Sequence, residues 1–98
     1  MFEYNELLFD WDKNKNLANI KKHGVSFEEA ASVFFDTEAA ILPDTEHSYG
    51  EDRFIIIGAS DEEKLLTVCY CERQNEEITR IISARRAEYT EIILYRGG

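Results

Sequence analysis

The sequence has 98 residues, enough for one domain with one hydrophobic core, and its 44% apolar and 32% charged residues are typical of a folded globular chain. No apolar run approaches the roughly 20 residues of a membrane helix, and no low-complexity segment, internal repeat or secretory signal pattern is present. Eleven Lys and Arg residues against 20 Asp and Glu residues give a net charge of −9, which excludes a nucleic-acid binder that relies on its overall field. Composition alone therefore favours a basic partner or a role without nucleic acid.

The first quarter of the chain predicts a short strand and a helix. Residues 2–11 mix aromatic and polar side chains, as in a short strand. Asp12 is a typical helix N-cap, and Gly24 is a typical residue just past a helix end. The stretch between them, 13–23, is predicted as a mostly polar helix.

A second helix is predicted to begin at Ser26. Ser26 and Glu29 have the spacing of a capping box, in which each side chain accepts a free backbone N–H of the other residue. An apolar face then runs from Phe27 to Phe34 with the i, i+3, i+4, i+7 spacing of an amphipathic helix.

The rest of the chain predicts strands and a third helix. A short strand ends at Pro43, and three β-rich runs with turn signals between them favour an antiparallel meander. The tail, 84–96, is predicted as a helix. Residues 1–98 are therefore expected to form one α+β domain, an antiparallel sheet that ends in a three-strand meander, with two N-terminal helices and a C-terminal helix. The second face of the sheet is either exposed to water or covered by a partner. The predicted meander strands are 53–58, 65–71 and 78–84.

The two cysteines, Cys69 and Cys71, lie two residues apart in a predicted strand, so both side chains point to one sheet face and are poorly placed to bridge. Two buried thiols are the simplest interpretation. A metal site would need further Cys or His residues at matching spacing, and the sequence has none. We therefore expect no metal, no cofactor, no membrane contact and a reducing, cytoplasmic setting.

Basic residues gather in two islands despite the acidic net charge. Residues 12–24 hold four Lys and one Asp, and residues 79–86 hold three Arg and no acid, so each island sums to +3. Lys21, Lys22 and His23 end the first helix. One interpretation is structural, because cations stabilise the C-terminal end of a helix dipole. The other places Lys22 on a phosphate beside His23, whose ordinary pKa near 6.5 suits proton transfer.

Arg53 lies at the start of a strand, next to Glu51 and Asp52. It either pairs with one of these acids at the rim of the sheet or points into a cleft above the sheet, with Glu51 as an acid or base.

Arg80 lies inside an apolar strand, where the alternation of side chains places it on one face with Ile82 and places Ser83 on the other face. Buried arginine is rare unless it is paired, so Arg80 either faces water or is held for a purpose. Arg85 and Arg86 follow at the predicted strand-to-helix junction.

The order of these residues resembles the BrnT toxin family, over about Phe9–Tyr95. The Lys-His-Gly-Val and Arg-Ile-Ile-Ser-Ala-Arg blocks are each weak alone but specific together. The matching blocks are Phe9-Asp10-Trp11-Asp12, Lys22-His23-Gly24-Val25-Ser26-Phe27, Glu51-Asp52-Arg53 and Arg80-Ile81-Ile82-Ser83-Ala84-Arg85-Arg86-Ala87.

The resemblance implies the toxin of a type II toxin–antitoxin system with a RelE-like ribonuclease fold. It implies a metal-independent endoribonuclease that inhibits translation by cleaving RNA, and a cognate BrnA-like antitoxin with a ribbon-helix-helix part. Contact with DNA would then occur only through the antitoxin.

A mechanism can be written on the matched positions as a hypothesis. The RNA 2′-hydroxyl attacks the adjacent phosphorus and leaves a cyclic phosphate, while Arg53, Arg80 and Lys22 stabilise the charge on the phosphoryl oxygens. His23 is the first candidate for moving a proton, and Glu51 is the second. The residues expected to bind the RNA backbone are Lys15, Lys21, Arg85 and Arg86.

Two functional hypotheses follow from the sequence. In the first, the chain is an RNA-cleaving toxin held inactive by its antitoxin, as favoured by the joint presence of Lys22, His23, Arg53 and Arg80. In the second, it is a toxin-like subunit with weak catalysis that binds and regulates a ribbon-helix-helix repressor. The acidic net charge suits a basic, DNA-binding partner. Convergence of the four side chains around one concave site would favour the first hypothesis, and scattering over opposite faces would count against it.

Overall fold

The computed structural model, which describes residues 1–47 and 50–97, contains six strands and three α-helices within those ranges. The α+β class and the three helices agree with the sequence-based prediction. The strands are β1 (Phe2–Tyr4), β2 (Leu7–Asp10), β3 (Ala40–Pro43), β4 (Arg53–Ala59), β5 (Leu65–Arg73) and β6 (Ile78–Arg86). The helices are α1 (Lys13–His23), α2 (Phe27–Ser32) and α3 (Tyr89–Gly97), with short 3₁₀ turns at Val33–Phe35 and Thr45–His47.

The strands form one mixed sheet in the order β1-β2-β6-β5-β4-β3. Strands β4, β5 and β6 are antiparallel neighbours, but β2 runs parallel to β6, with Phe9 opposite Thr79. The expectation of an antiparallel sheet is therefore wrong at this pair. Parallel neighbours require a long crossover, and the pairing joins residues about 70 positions apart, so no local pattern indicates it.

The single short strand predicted at the start is a two-stranded hairpin. Asn5 and Glu6 form its turn, with φ angles of 47° and 71°. Two consecutive residues with positive φ give the turn twist that matches a hairpin, although glutamate is an unusual choice there.

The helix ends follow the sequence signals in part. The Asp12 carboxylate accepts the backbone N–H groups of Asn14 and Lys15, and Gly24 ends α1 in the left-handed conformation with φ 71°. The Ser26 hydroxyl accepts the Glu29 N–H at 3.0 Å, as a capping box requires.

The second half of the predicted capping box is wrong. The Glu29 carboxylate is buried and accepts the Ser60 hydroxyl at 2.7 Å and the Lys64 ammonium at 3.2 Å. These bonds tie α2 to the turn between β4 and β5. A buried carboxylate is retained where a charge and a hydroxyl both satisfy it.

The C-terminal helix begins later than the predicted 84–96. Strand β6 continues to Arg86 because Ala84 is buried in the core opposite Val68, and the Ala87 N–H still donates to the Leu65 carbonyl. Tertiary pairing here overrides the helix propensity of the alanines.

The hydrophobic core lies between the sheet and the layer formed by α2 and the 3₁₀ turn that follows it. Aromatic rings dominate it, with Phe9 and Phe34 edge to face at 5.3 Å and Phe34 and Tyr70 at 4.9 Å. The fully buried members include Phe9, Phe27, Ala30, Ala31, Val33, Leu66, Val68 and Ala84.

Helix α1 is fixed beside β6 by a buried asparagine. Strand β2 pairs with β6 only as far as Arg80, which leaves the backbone of Ala84 unpaired on that side. The Asn19 amide nitrogen donates to the Ala84 carbonyl at 2.7 Å and to the Val25 carbonyl at 2.9 Å, and its oxygen accepts the Ala84 N–H at 3.2 Å. Asn19 thus completes the edge of β6 where β2 ends.

Replacing Asn19 by Ala is expected to lower the free energy of unfolding by about 2–3 kcal/mol, because it leaves three buried backbone groups without partners. Urea unfolding followed by circular dichroism measures this. Asn14→Ala is the matched control on the same helix, since residue 14 is exposed. A loss no larger than that of the control would contradict the anchoring role of Asn19.

Candidate active site

The sheet face that turns away from α2, called the open face below, carries a group of arginines. Arg53 and Arg80 both lie opposite Cys71 in the strand registers, so all three side chains share this face. Arg73 follows Cys71 by two residues on the same face, and Arg85 lies opposite Thr67. Three adjacent strands thus bring four arginines to one surface.

A β-bulge in β6 decides this arrangement. Cys69 is opposite Ser83 and Tyr70 is opposite Ile81, so Ile82 is an extra residue in the ladder. Both Ile82 and Ser83 face the cleft on the open face, which corrects the expectation that Ser83 points to the other side.

The bulge also reverses the alternation for every residue after it. Arg80 and Arg85 are five positions apart and would otherwise lie on opposite faces.

A cleft of about 360 Å³ lies above β4, β5 and β6. Arg53 and Arg85 lie on its walls, and Arg80 lies next to it in the row with Arg53. At the far end α3 packs against β4, and Ile57 is fully buried on this face. The open face is therefore partly covered by the chain itself. The cleft is lined by Asp44, Glu46, Arg53, Ile55, Thr67, Cys69, Ile82, Ser83 and Arg85.

Arginines of this face are held by carboxylates of the same chain. Arg80 forms an ion pair with Asp10, its neighbour in the parallel pairing. Arg85 donates two parallel bonds to Glu91 of α3, both at 2.8 Å, which is the strong fork geometry of arginine and carboxylate.

Glu51 pairs with an arginine that sequence reasoning did not single out. The Glu51 carboxylate accepts Arg73 Nη2 at 3.3 Å. Arg73 Nε in turn donates to the Cys71 sulfur at 3.4 Å. The strand register is the signal for Arg73, because it places residue 73 on the face of Cys71, and that register depends on pairing that the sequence alone does not give.

The basic residues of α1 lie outside the cleft. The predicted site residues Lys15, Lys21, Lys22 and His23 are all exposed on α1, and none of them lines the cleft. Arg86 is exposed at the end of β6. The structure thus brings Arg53, Arg80 and Arg85 together and places Lys22 and His23 beyond the edge of β6.

Local electrostatics link the first turn of α1 to the arginines. The pKa of Asp12 is lowered by hydrogen bonds from the backbone N–H groups of Lys15 and Asn14 and by the charges of Lys15 and Arg80. The Asp12 carboxylate therefore interacts electrostatically with both basic islands that the sequence predicted.

The two cysteines share the open face as predicted, but only Cys71 is buried, while Cys69 is partly exposed in the cleft. Burial, the charge of Asp44 and a hydrogen bond to Asp44 raise the pKa of Cys69 to about 11. The thiol is protonated at neutral pH and is a poor nucleophile.

No group of three or more His, Cys, Asp or Glu residues within 1–47 and 50–97 is arranged to hold a metal ion. In the same ranges no helix is both long and apolar enough to cross a membrane.

The sequence matches a protein-family model over residues 11–91. That family is BrnT, the ribonuclease toxin of type II toxin–antitoxin systems. The chain belongs to this family. The match spans Arg53, Arg73, Arg80 and Arg85. Because BrnT proteins are type II toxins, membership implies an antitoxin partner.

A solved BrnT structure supports the assignment. The fold is similar to that of the Brucella abortus ribonuclease toxin BrnT, with a TM-score of 0.65 and 25% sequence identity. The similarity covers 84% of this chain and 97% of the Brucella chain. Comparison with curated proteins finds no match.

Acid is expected to loosen α3 through Glu91. Hydrogen bonds from Arg85 lower the pKa of Glu91 from 4.5 to about 2, although burial opposes the shift. A lowered pKa means that the stabilisation is complete above about pH 4.5 and is lost as the pH falls towards 2. Glu91→Gln is expected to lose on the order of 2 kcal/mol at pH 7 and to flatten the pH dependence in that window.

Urea unfolding at a series of pH values tests this. Glu88→Gln is the control, since Glu88 also pairs with Arg85 but is 72% exposed and contributes little. Equal losses for the two variants would show that the Arg85–Glu91 pair does not hold α3.

Proposed function

We propose that this BrnT chain is a metal-independent endoribonuclease that stops translation by cleaving RNA and is neutralised by a BrnA-like ribbon-helix-helix antitoxin. The observation that carries the proposal is the convergence of Arg53, Arg80 and Arg85 beside one cleft on the open face. The site belongs to one BrnT-like, RelE-like domain over residues 1–98, which would act in the cytoplasm, where translation takes place. DNA would be contacted only through the antitoxin.

The spacing of the arginines suits a phosphate. Arg53 and Arg80 flank Cys71 in one row across three strands, so their backbones are about 10 Å apart at the usual strand separation. Once Arg80 turns from Asp10 of β2 toward Arg53, two long guanidinium side chains at such a distance can hold one phosphodiester between them. Bidentate contacts to phosphoryl oxygens would stabilise the charge of the transition state.

The proposed reaction needs no group beyond RNA and the chain. The 2′-oxygen forms a bond to phosphorus and gives its proton to a base, while the bond from phosphorus to the 5′-oxygen breaks and that oxygen gains a proton. The products are a 2′,3′-cyclic phosphate and a 5′-hydroxyl. His23 is the proposed proton carrier, with Glu51 as the second candidate.

Helix geometry indicates how α1 contributes. Lys15, Asn19 and Lys22 have i, i+4, i+7 spacing and form one stripe. Asn16 lies on the adjoining stripe, where its side chain accepts the Phe27 N–H at 2.8 Å on the α2 side. Lys15 and Lys22 therefore lie on the side of Asn19 that is away from α2. We propose that they extend the basic surface across the edge of β6, with Lys21 and Arg86 at its rim.

Cleavage of a defined RNA by the purified chain in EDTA tests the proposal. Arg80→Ala is expected to lower kcat/KM by about 10²–10³, the cost of removing one preorganised donor to a transition-state oxygen. His23→Ala is expected to lower it by about 10²–10⁴ if it carries the proton. Arg96→Ala is the matched control, because Arg96 is exposed on α3 away from the cleft and should leave cleavage unchanged.

Cleavage that survives in folded Arg80→Ala and His23→Ala proteins would place the activity elsewhere or in a contaminating nuclease. Cleavage that EDTA abolishes would refute metal independence.

A second function, a binding subunit with weak catalysis, is favoured by the carboxylates. Asp10 and Glu91 already occupy the guanidinium groups of Arg80 and Arg85, so a phosphate must displace them or share the arginines. If no version of the chain cleaves RNA, with or without ribosomes, while the chain still binds its antitoxin, this second function is the correct one.

A further inference from the structure

A second pocket lies on the other side of Asp10 from the arginines. Its volume is about 450 Å³, and it opens between the N-terminal hairpin and the first turns of α1. Phe2, Phe9 and Trp11 supply its aromatic surface, and one lysine and two carboxylates supply its charge. It is lined by Met1, Phe2, Phe9, Asp10, Trp11, Lys13, Asn16, Leu17 and Glu28.

The aromatic rings are held in place by one another. Trp11 lies 5.3 Å from Phe2, with the ring planes tilted by 43°, and meets Phe27 edge to face at 6.0 Å. Trp11 is partly exposed, whereas Phe9 and Phe27 are fully buried. A fixed indole at the mouth of a pocket is a surface on which a planar ring can stack, and such stacking of a base contributes about 1–3 kcal/mol.

Asp10 connects this pocket to the proposed phosphate site. It lines the pocket and pairs with Arg80 through Oδ2. The aromatic side chains of the pocket lie on the α2 side of the sheet, so an RNA strand with a phosphate at Arg80 would pass the end of β2 to bring a neighbouring base into the pocket. Single-stranded RNA is commonly read by bases that leave the stack and enter such pockets.

The polar groups of the pocket match the hydrogen-bonding edge of one base better than those of the others. The Glu28 carboxylate is oriented by Asn16, whose amide donates to Oε1 at 3.0 Å, which leaves Oε2 for another donor. An ionised carboxylate only accepts hydrogen bonds, and a lysine only donates them. Guanine offers the complementary edge, with N1–H and N2–H₂ as adjacent donors and O6 and N7 as acceptors. Adenine, cytosine and uracil each place a ring nitrogen or carbonyl acceptor next to the donor.

We propose that this pocket is a guanine-binding subsite, with the base stacked on Trp11, its donor edge on Glu28 and its O6 or N7 near Lys13. The proposal rests on the proposed function for the RNA to which the base belongs. It assigns a sequence preference to the toxin and a role to three residues outside the arginine group.

Trp11 is the single tryptophan of the sequence, so tryptophan fluorescence reports on ligand binding in this pocket. Titration of the intact protein with GMP, IMP, AMP, CMP and UMP, with fluorescence corrected for nucleotide absorbance, measures stacking directly. GMP is expected to quench most strongly. IMP lacks the 2-amino group and should bind about tenfold more weakly, as expected for one lost hydrogen bond to a charged acceptor.

Glu28→Gln is expected to remove the preference for GMP over IMP and to retain stacking, since the glutamine amide can still accept from Asn16. Glu62→Gln is the matched control, with the same loss of charge at an exposed position in the turn between β4 and β5, and should keep the preference. Lys13→Gln should weaken the binding of GMP. Circular dichroism verifies the fold of each variant.

Equal quenching by all five nucleotides, or none, would overturn the subsite. Quenching by the antitoxin and by no nucleotide would assign the pocket to the protein partner and also overturn it. RNA cleavage without guanine preference would refute the subsite and leave the proposed function intact. Selective quenching by GMP in a chain that cleaves no RNA would support the subsite and refute the proposed function.

Discussion

The β-bulge at Ile82 is the constraint on which the open face depends. One extra residue in β6 shifts the alternation so that Arg80 and Arg85 share a face with Arg53, while Ile81 and Ala84 both remain in the core. A regular strand could satisfy the core or the site but not both, because residues an odd number of positions apart point to opposite faces. The bulge lies where β2 stops pairing, and Asn19 completes the backbone there. The edge of β6, the anchor of α1 and the arginine group are thus one structural unit.

The acidic charge of this BrnT chain is compatible with an arginine-rich site when the charges are followed pair by pair. Arginines of the open face are oriented by Asp10, Glu51 and Glu91 of the same chain. These contacts reduce the conformational freedom that long side chains would lose on binding a phosphate. They also mean that the net charge of the protein contributes little to its affinity for RNA. RNA must then be recognised through the geometry of contacts at close range. An acidic exterior is compatible with a small, focused arginine site, because the exterior charge and the site act over different distances.

Local signals predicted much of the fold, and long-range pairing accounts for the rest. Asp12 and Gly24 marked the ends of α1, and the β-rich runs indicated the three meander strands. Both signals are local, because a cap or an alternating pattern involves only residues that are close in sequence. The parallel pairing of β2 with β6 and the bulge join distant segments, so no window of sequence contains them. The same holds for the site. Residue type indicated Arg53 and Arg80, whereas only the strand register shows that Arg73 lies on the same face. Lys22 and His23 lie on α1 outside the cleft, so their part in the reaction stays a prediction.

The ion pair between Asp10 and Arg80 has a consequence for the order of synthesis. It joins residues 70 positions apart, and β2 has no partner on its inner side until β6 exists. A chain emerging from the ribosome therefore carries its N-terminal hairpin and α1 without the strand against which both dock. Contacts of such separation form late, since the intervening chain must first be closed into a loop. The arginine surface is consequently completed only after β6 has been synthesised, and a product truncated before β6 would lack it.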